Sequence, residues 1–200
     1  MGISGKQFAE LERRLKGGAR RSAASETARP IVAGPSVLLG IDPSLRGTGY
    51  GVVRRIDGRW QAVAFGTVKC PSSWLRSRCL GQIAGTLRAV VKEHRPEACA
   101  VEGLFFAQNL QTALIMGEAR GAALAVVAEA GLPVCEIAPR KVKLALVGFG
   151  GAQKLAVSKM VQRLLQLPAE PDPDAADALA IALAYAQHSS GRSLNAPKPL

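Results

Sequence analysis

Histidine is nearly missing from this 200-residue chain, which has two, and its four cysteines (Cys70, Cys79, Cys99 and Cys135) form no Cys-x-x-Cys pair. These shortages argue against a zinc site and against a disulfide framework, and predict reduced thiols in an intracellular protein. Cys99 and Cys135 lie in apolar stretches and read as small buried hydrophobes. Acidic residues are scarce too: 15 Asp and Glu stand against 26 Lys and Arg, leaving a net charge of +11 and a pI of about 10.1. A surplus of that size points to a polyanionic partner, nucleic acid before membrane. Long uncharged apolar runs are lacking as well. The best candidate, Leu110 to Gly131, carries Glu118, Arg120 and Glu129, so no segment reads as a membrane span. The N-terminus has no signal-peptide apolar core, Arg13-Arg14 is a poor twin-arginine signal, and Lys6 spoils a myristoylation pattern. The expected location is therefore the cytoplasm. No internal repeat is present.

What remains is a chain that is 48% hydrophobic and long enough to bury a core. Residues 1–35 mix basic residues with Gly, Ala and Ser and read as a mostly disordered basic arm, either an aid to phosphate affinity or a tail without a role. Residues 36–188 read as one domain, and 189–200 as a disordered C-terminal tail. Inside the domain, Val37 to Asp42 predicts a buried strand. Gly49 to Arg55 and Trp60 to Lys69 predict a hairpin joined through "IDGR". Ser73 is placed to cap a helix running to about His94, with Leu80, Ile83, Leu87, Val90 and Val91 on one face. "ACAVE" predicts a short strand, Leu110 to Ala130 a long helix closed by Gly131, and "PVCEIA" a fifth strand. Helices follow over Arg140 to Val147, Ala152 to Leu165 and Pro173 to His188. The order predicts a mixed α/β sheet of five strands flanked by helices. Gly117, Gly121 and Ala125 repeat every four residues on the long helix, for core packing or for a dimer contact.

Four acids stand among apolar or small neighbours. Asp42 ends the first strand, Glu102 ends the fourth, and Asp174 and Asp177 lie three apart at the start of the last helix. An isolated carboxylate against an apolar wall is costly unless something neutralises it. Four of them suit an all-oxygen site for Mg²⁺ or Mn²⁺. Two such ions about 4 Å apart can clamp a phosphodiester, which in a basic chain suggests a nuclease. Each acid also has an ordinary reading: Asp172 and Asp174 as helix caps, Asp42 as a turn residue, Glu102 as an exposed strand end.

The segments "GIDPSLRGTGYGVV", "VEGLFFAQNLQTALIMGEARGAALA", "APRKVKLALVGFGGAQK" and "DAADALAIALAYA" occur in the order found in RuvC-type Holliday junction resolvases, and the chain resembles that family from about Ser36 to His188. The resemblance implies a ribonuclease H-like fold. It implies a homodimer that nicks opposing strands of a four-way DNA junction symmetrically, with two Mg²⁺ per site and Mn²⁺ as a substitute. Asp42, Glu102, Asp174 and Asp177 match the family's metal-binding acids, and Gly47 and Gly49 are expected to let the backbone turn tightly beside them. Lys143 and Lys154 match lysines near the DNA backbone, and Arg46 is a further expected DNA contact. Phe105 matches an aromatic that stacks on unpaired bases, with Phe106 as the alternative. A junction-binding tetramer and a branch-migration ATPase are the partners the resemblance implies. The chain departs from the family at Gly103, where glutamine is common, and in its N-terminal arm. An actin-like ATPase shares the strand-Asp-turn-Gly-Thr-Gly opening but needs a duplicated domain that this chain lacks. A catalytically silent nucleic-acid-binding module and a nuclease for structured RNA stay as competing readings.

Overall fold

The computed structural model describes residues 34–103, 109–188 and 198–200. In chain order these form β1 (Val37–Asp42), β2 (Gly47–Ile56), β3 (Arg59–Lys69), α1 (Arg76–His94), β4 (Ala98–Glu102), α2 (Leu110–Glu129), β5 (Val134–Ile137), α3 (Pro139–Val147), α4 (Lys154–Leu164), α5 (Pro173–Gln187) and β6 (Lys198–Pro199). The strands lie side by side in the order β3-β2-β1-β4-β5-β6. β1 pairs antiparallel with β2 and parallel with β4, and β4 pairs parallel with β5. The sheet is therefore mixed, as the element order predicts. Its five expected strands are present, and a two-residue sixth adds to the edge. The tail 189–200 is read from sequence as disordered, yet Lys198–Pro199 pair antiparallel with β5. Residues Gly34–Leu200 make one compact unit.

The local reasons are visible in the chain. Asp57 and Gly58 both take positive φ, 50° and 77°, which joins β2 to β3 by the kind of tight turn that favours Asp-Gly. Asn109 caps α2, its side chain accepting from the Thr112 N–H at 2.8 Å, and Gly131 at φ 69° closes that helix. Pro139 opens α3 and Gly148, at φ 79°, ends it. One cap differs from expectation. Leu75, not Ser73, precedes α1, and no side chain caps it.

Alternate residues of the central strands feed two cores. Leu39, Ile41, Cys99 and Val101 pack with α1 and α2 on one face, while Leu38, Ala98 and Ala100 pack with α3, α4 and α5 on the other. The period of two in the strands therefore decides which face each carboxylate joins. Asp42 follows Leu38 and Gly40 by twos, and Glu102 follows Ala98 and Ala100, so both point to the α5 face. All four cysteines are unpaired, with Cys70, Cys79 and Cys99 buried.

Candidate active site

The site sits where β1 and β4 stop. These neighbours run parallel in the register Ile41↔Val101, so their last residues, Asp42 and Glu102, arrive together at the sheet edge. The turn after Asp42 is locked by Thr48, which is fully buried: its hydroxyl donates to the Ser44 carbonyl at 2.5 Å and accepts from the Ser44 N–H at 3.2 Å. The two carboxylates share a hydrogen bond. Burial, and the Glu102 carboxylate next to it, push Asp42 up to about 8. Burial also raises Glu102, while the bond from Asp42 works in the opposite direction. Such a pair holds a proton between its members when no cation is near, because like charges this close resist joint ionisation.

α5 brings the other two acids across the sheet. It is built almost wholly of buried alanines with Leu179, Ile181 and Leu183, and its backbone lies directly on β1 and β2. A Cβ built at Gly49 would stand 2.0 Å from the Asp174 carbonyl oxygen, and one at Gly40 would stand 2.1 Å from that of Ala178. This revises the expected role of Gly47 and Gly49. Neither takes a positive φ; they lie within β2 and leave room for the start of α5. The Asp174 Oδ2 would lie 2.6 Å from a Cβ at Gly47.

Asp177 faces the Asp42–Glu102 pair closely enough to raise both. Lys154, the first residue of α4, donates to Asp177 Oδ2 at 2.9 Å, and that bond raises the lysine above its ordinary value. Lys143 on α3 reaches the same place. With Glu102, Lys154 and Asp177 it lines a cleft of about 200 Å³. Larger hollows of about 320 and 580 Å³ lie elsewhere and carry no carboxylate. Asp172 precedes α5 without capping it through its side chain; its carboxylate pairs with Lys69 at 2.7 Å.

The structure thus gathers Asp42, Glu102, Asp177, Lys143 and Lys154, and sets Asp174 beside Gly47 at the margin. Among the described residues no three His, Cys, Asp or Glu stand in metal-holding geometry as placed. Arg46, expected to contact DNA, is exposed and also has a structural role. Its Nη1 donates to the carbonyls of Pro71 at 2.5 Å and Trp74 at 3.2 Å, and to Cys79 Sγ at 3.3 Å, tying the turn after β1 to the segment before α1. Phe105 and Phe106 lie outside the described residues.

Sequence reasoning missed one residue at the site. Arg120 of α2 is buried, donates to the Glu102 carbonyl, and pairs with Glu136 of β5. A signal was present: Arg120 falls in register with Ala123 and Val127 on a helix face that is otherwise small and apolar. The helix is long and apolar enough to cross a membrane by length and composition alone, yet this face lies on the core.

The described geometry has close counterparts. The family model for the crossover junction endodeoxyribonuclease RuvC matches residues 38–185. The chain is 47% identical over 154 residues to the RuvC of Halorhodospira halophila, covering 76% of this chain and 91% of that one. It is 46% identical over 153 residues to a Coxiella burnetii RuvC, covering 76% and 88%. Among solved structures, Thermus thermophilus RuvC in complex with a Holliday junction substrate superposes with a TM-score of 0.76 at 37% identity, over 82% of this chain and 99% of that one. The yeast mitochondrial Holliday junction resolvase Ydc2, at 12% identity and a TM-score of 0.53, shares the fold. With paired carboxylates at the ends of two parallel strands and a family match spanning nearly the whole described sheet, this chain belongs to the RuvC family of crossover junction endodeoxyribonucleases.

Proposed function

We propose that this chain resolves four-way Holliday junctions by hydrolysing one phosphodiester in each of two opposing DNA strands. One observation carries the reading: the hydrogen-bonded Asp42–Glu102 pair, half-buried at the ends of adjacent parallel strands, with Asp177 and two lysines facing it. The Thermus thermophilus relative, solved with a Holliday junction, supports the choice of substrate.

The acids fit a hard divalent cation. Their donor atoms are all carboxylate oxygens, and Asp42, raised to about 8, is a buried acid short of positive charge. Asp42, Glu102, Asp174 and Asp177 would hold Mg²⁺, two ions by family resemblance, with Mn²⁺ as a substitute. Bound there, such ions would lower the pKa of the attacking water and stabilise the leaving oxygen. The protein's own part is positional. β1 and β4 fix two carboxylates on rigid strand ends, and α5 sets the other two against them. Lys154 neutralises Asp177, and Lys143 stands beside Glu102. Both are point charges suited to a DNA phosphate. Phe105 is assigned the base-stacking role by resemblance.

Symmetric cutting calls for two such sites, hence a homodimer. The outer stripe of α2 is its candidate contact, with Leu110 and Leu114 exposed and Gly117, Gly121 and Ala125 along the same line. A junction-binding tetramer and a branch-migration ATPase are the further partners that resemblance suggests, acting on DNA in the cytoplasm.

The test is cleavage of a labelled mobile four-way junction beside a linear duplex and a single-stranded RNA, with Mg²⁺ or EDTA. Paired, symmetric nicks confined to the junction and abolished by EDTA are expected. Asp42→Asn should lower the cutting rate by at least about a thousandfold, roughly 4 kcal/mol of barrier, while junction affinity by gel shift stays within about twofold. Equal cutting of the RNA, or full activity in the variant, would overturn the reading.

A further inference from the structure

Arg120 is the one buried charge among the described residues, where the buried polar side chains are Thr48 and Arg120. Its partners explain why it is there. One guanidinium nitrogen donates to the Glu102 carbonyl and another to Glu136. The pair is well enclosed, with side-chain exposures of 10% and 25%.

The Glu102 carbonyl needs a donor that the sheet cannot give it. Along β4, Cys99 and Gly103 turn their N–H groups toward β5, donating to Pro133 and Ile137 at 2.9 Å each. Alternation then turns the N–H and C=O of Ala100 and Glu102 toward β1. In the parallel register Gly40↔Ala100 and Ile41↔Val101, the ladder would next pair the Glu102 carbonyl with the N–H of residue 43. Residue 43 is proline and has none. An unpaired carbonyl at this point would leave the strand end that carries the metal ligand free to shift or to seek water. Arg120 reaches it from α2, on the face of the sheet opposite α5.

We propose that Arg120 is a positioning residue for Glu102. It supplies the donor that Pro43 withholds, and Glu136 holds its guanidinium in line. Glu102 is thus braced from the face of the sheet opposite the one on which α5 carries Asp174 and Asp177. The inference rests on the reading of Glu102 as a metal ligand.

The experiment separates that role from a plain buried ion pair. Arg120→Met combined with Glu136→Leu removes both charges together, which a well-packed interior tolerates far better than removing one. Three quantities are measured: Mn²⁺ affinity of the DNA-free protein by electron paramagnetic resonance, junction affinity in EDTA, and kcat at saturating junction with Mg²⁺. Junction affinity should stay within about twofold. Mn²⁺ affinity and kcat should each fall about tenfold or more, as when an outer partner of a metal ligand is lost. Adding Pro43→Ala, which returns an N–H to the ladder position, should recover a good part of the Mn²⁺ affinity. Arg120→Lys keeps the charge against Glu136 but offers one compact ammonium for two acceptors; it should fold and show the same weakened Mn²⁺ binding. If either folded variant binds Mn²⁺ and turns over like the wild type, Arg120 only pairs with Glu136 and the proposal is wrong. If Asp42→Asn binds Mn²⁺ as well as the wild type does, the four-acid reading fails instead.

Discussion

Asp42 illustrates what a carboxylate set at a buried strand end costs its fold. Its folded pKa of about 8 stands above an unfolded value of about 3.9. The folded state therefore binds this proton more tightly than the unfolded state does. The contribution to stability is full below the unfolded value and is lost as pH rises toward 8. Without divalent ions, the melting temperature should drop between pH 5 and pH 8, and Asp42→Asn should flatten that slope. At pH 8 the variant should be more stable by on the order of 1–2 kcal/mol, a few degrees in Tm. Calorimetry in EDTA checks this, and an unchanged slope would show that Asp42 does not carry the buried proton. At this scale much of the site was legible, since Asp42, Glu102 and Asp177 each break an apolar pattern in the chain. Arg120 was not, because its role depends on a carbonyl at the end of β4 and on a proline just past β1. The bracing role of Arg46 was hidden for a related reason. Its acceptors at Pro71, Trp74 and Cys79 become neighbours only in the folded chain.

Among the elements, α5 decides most. An alanine-rich helix can lie against strands at near backbone contact only where the strands offer no side chains, and Gly40, Gly47, Gly49 and Gly51 provide that bed. Gly49→Ala should cost about 3 kcal/mol or more, since its Cβ would meet backbone that cannot give way. It should also lower kcat beyond what the lost stability explains, because the obstacle is the residue that carries the Asp174 carboxylate. Urea titration gives the first quantity and single-turnover cleavage below the transition gives the second. A mild loss on both would mean that α5 is seated more loosely than described. The limits of β1 and β4 were readable from short apolar runs that end abruptly on a carboxylate. The cap of α1 was not, because Ser73 lies in a turn, closed by the Trp74 N–H on the Pro71 carbonyl at 3.0 Å, and the extended Leu75 precedes the helix instead. Nor was β6, whose two residues gain strand character only from the free edge of β5.

For the whole molecule, charge and assembly matter most. The +11 surplus favours DNA of any sequence, so affinity should fall steeply with salt while the choice of junction over duplex comes from geometry. On the proposed reading, paired cutting calls for two copies. Replacing Leu114 and Gly121 together by glutamate on the outer stripe of α2 should give a monomer by sedimentation, with Mn²⁺ binding retained and paired nicking lost. A dimer that survives the change would place the contact on another face. The order in which the chain is made adds a further consequence. Asp42 lies on the first strand and Asp177 on the last helix of the domain, so the site cannot close until α5 has docked on the glycine bed. A ribosome releases that helix after all the strands and helices that carry the other acids and the lysines, and the nascent chain, already basic enough to cling to DNA, has no complete site before then.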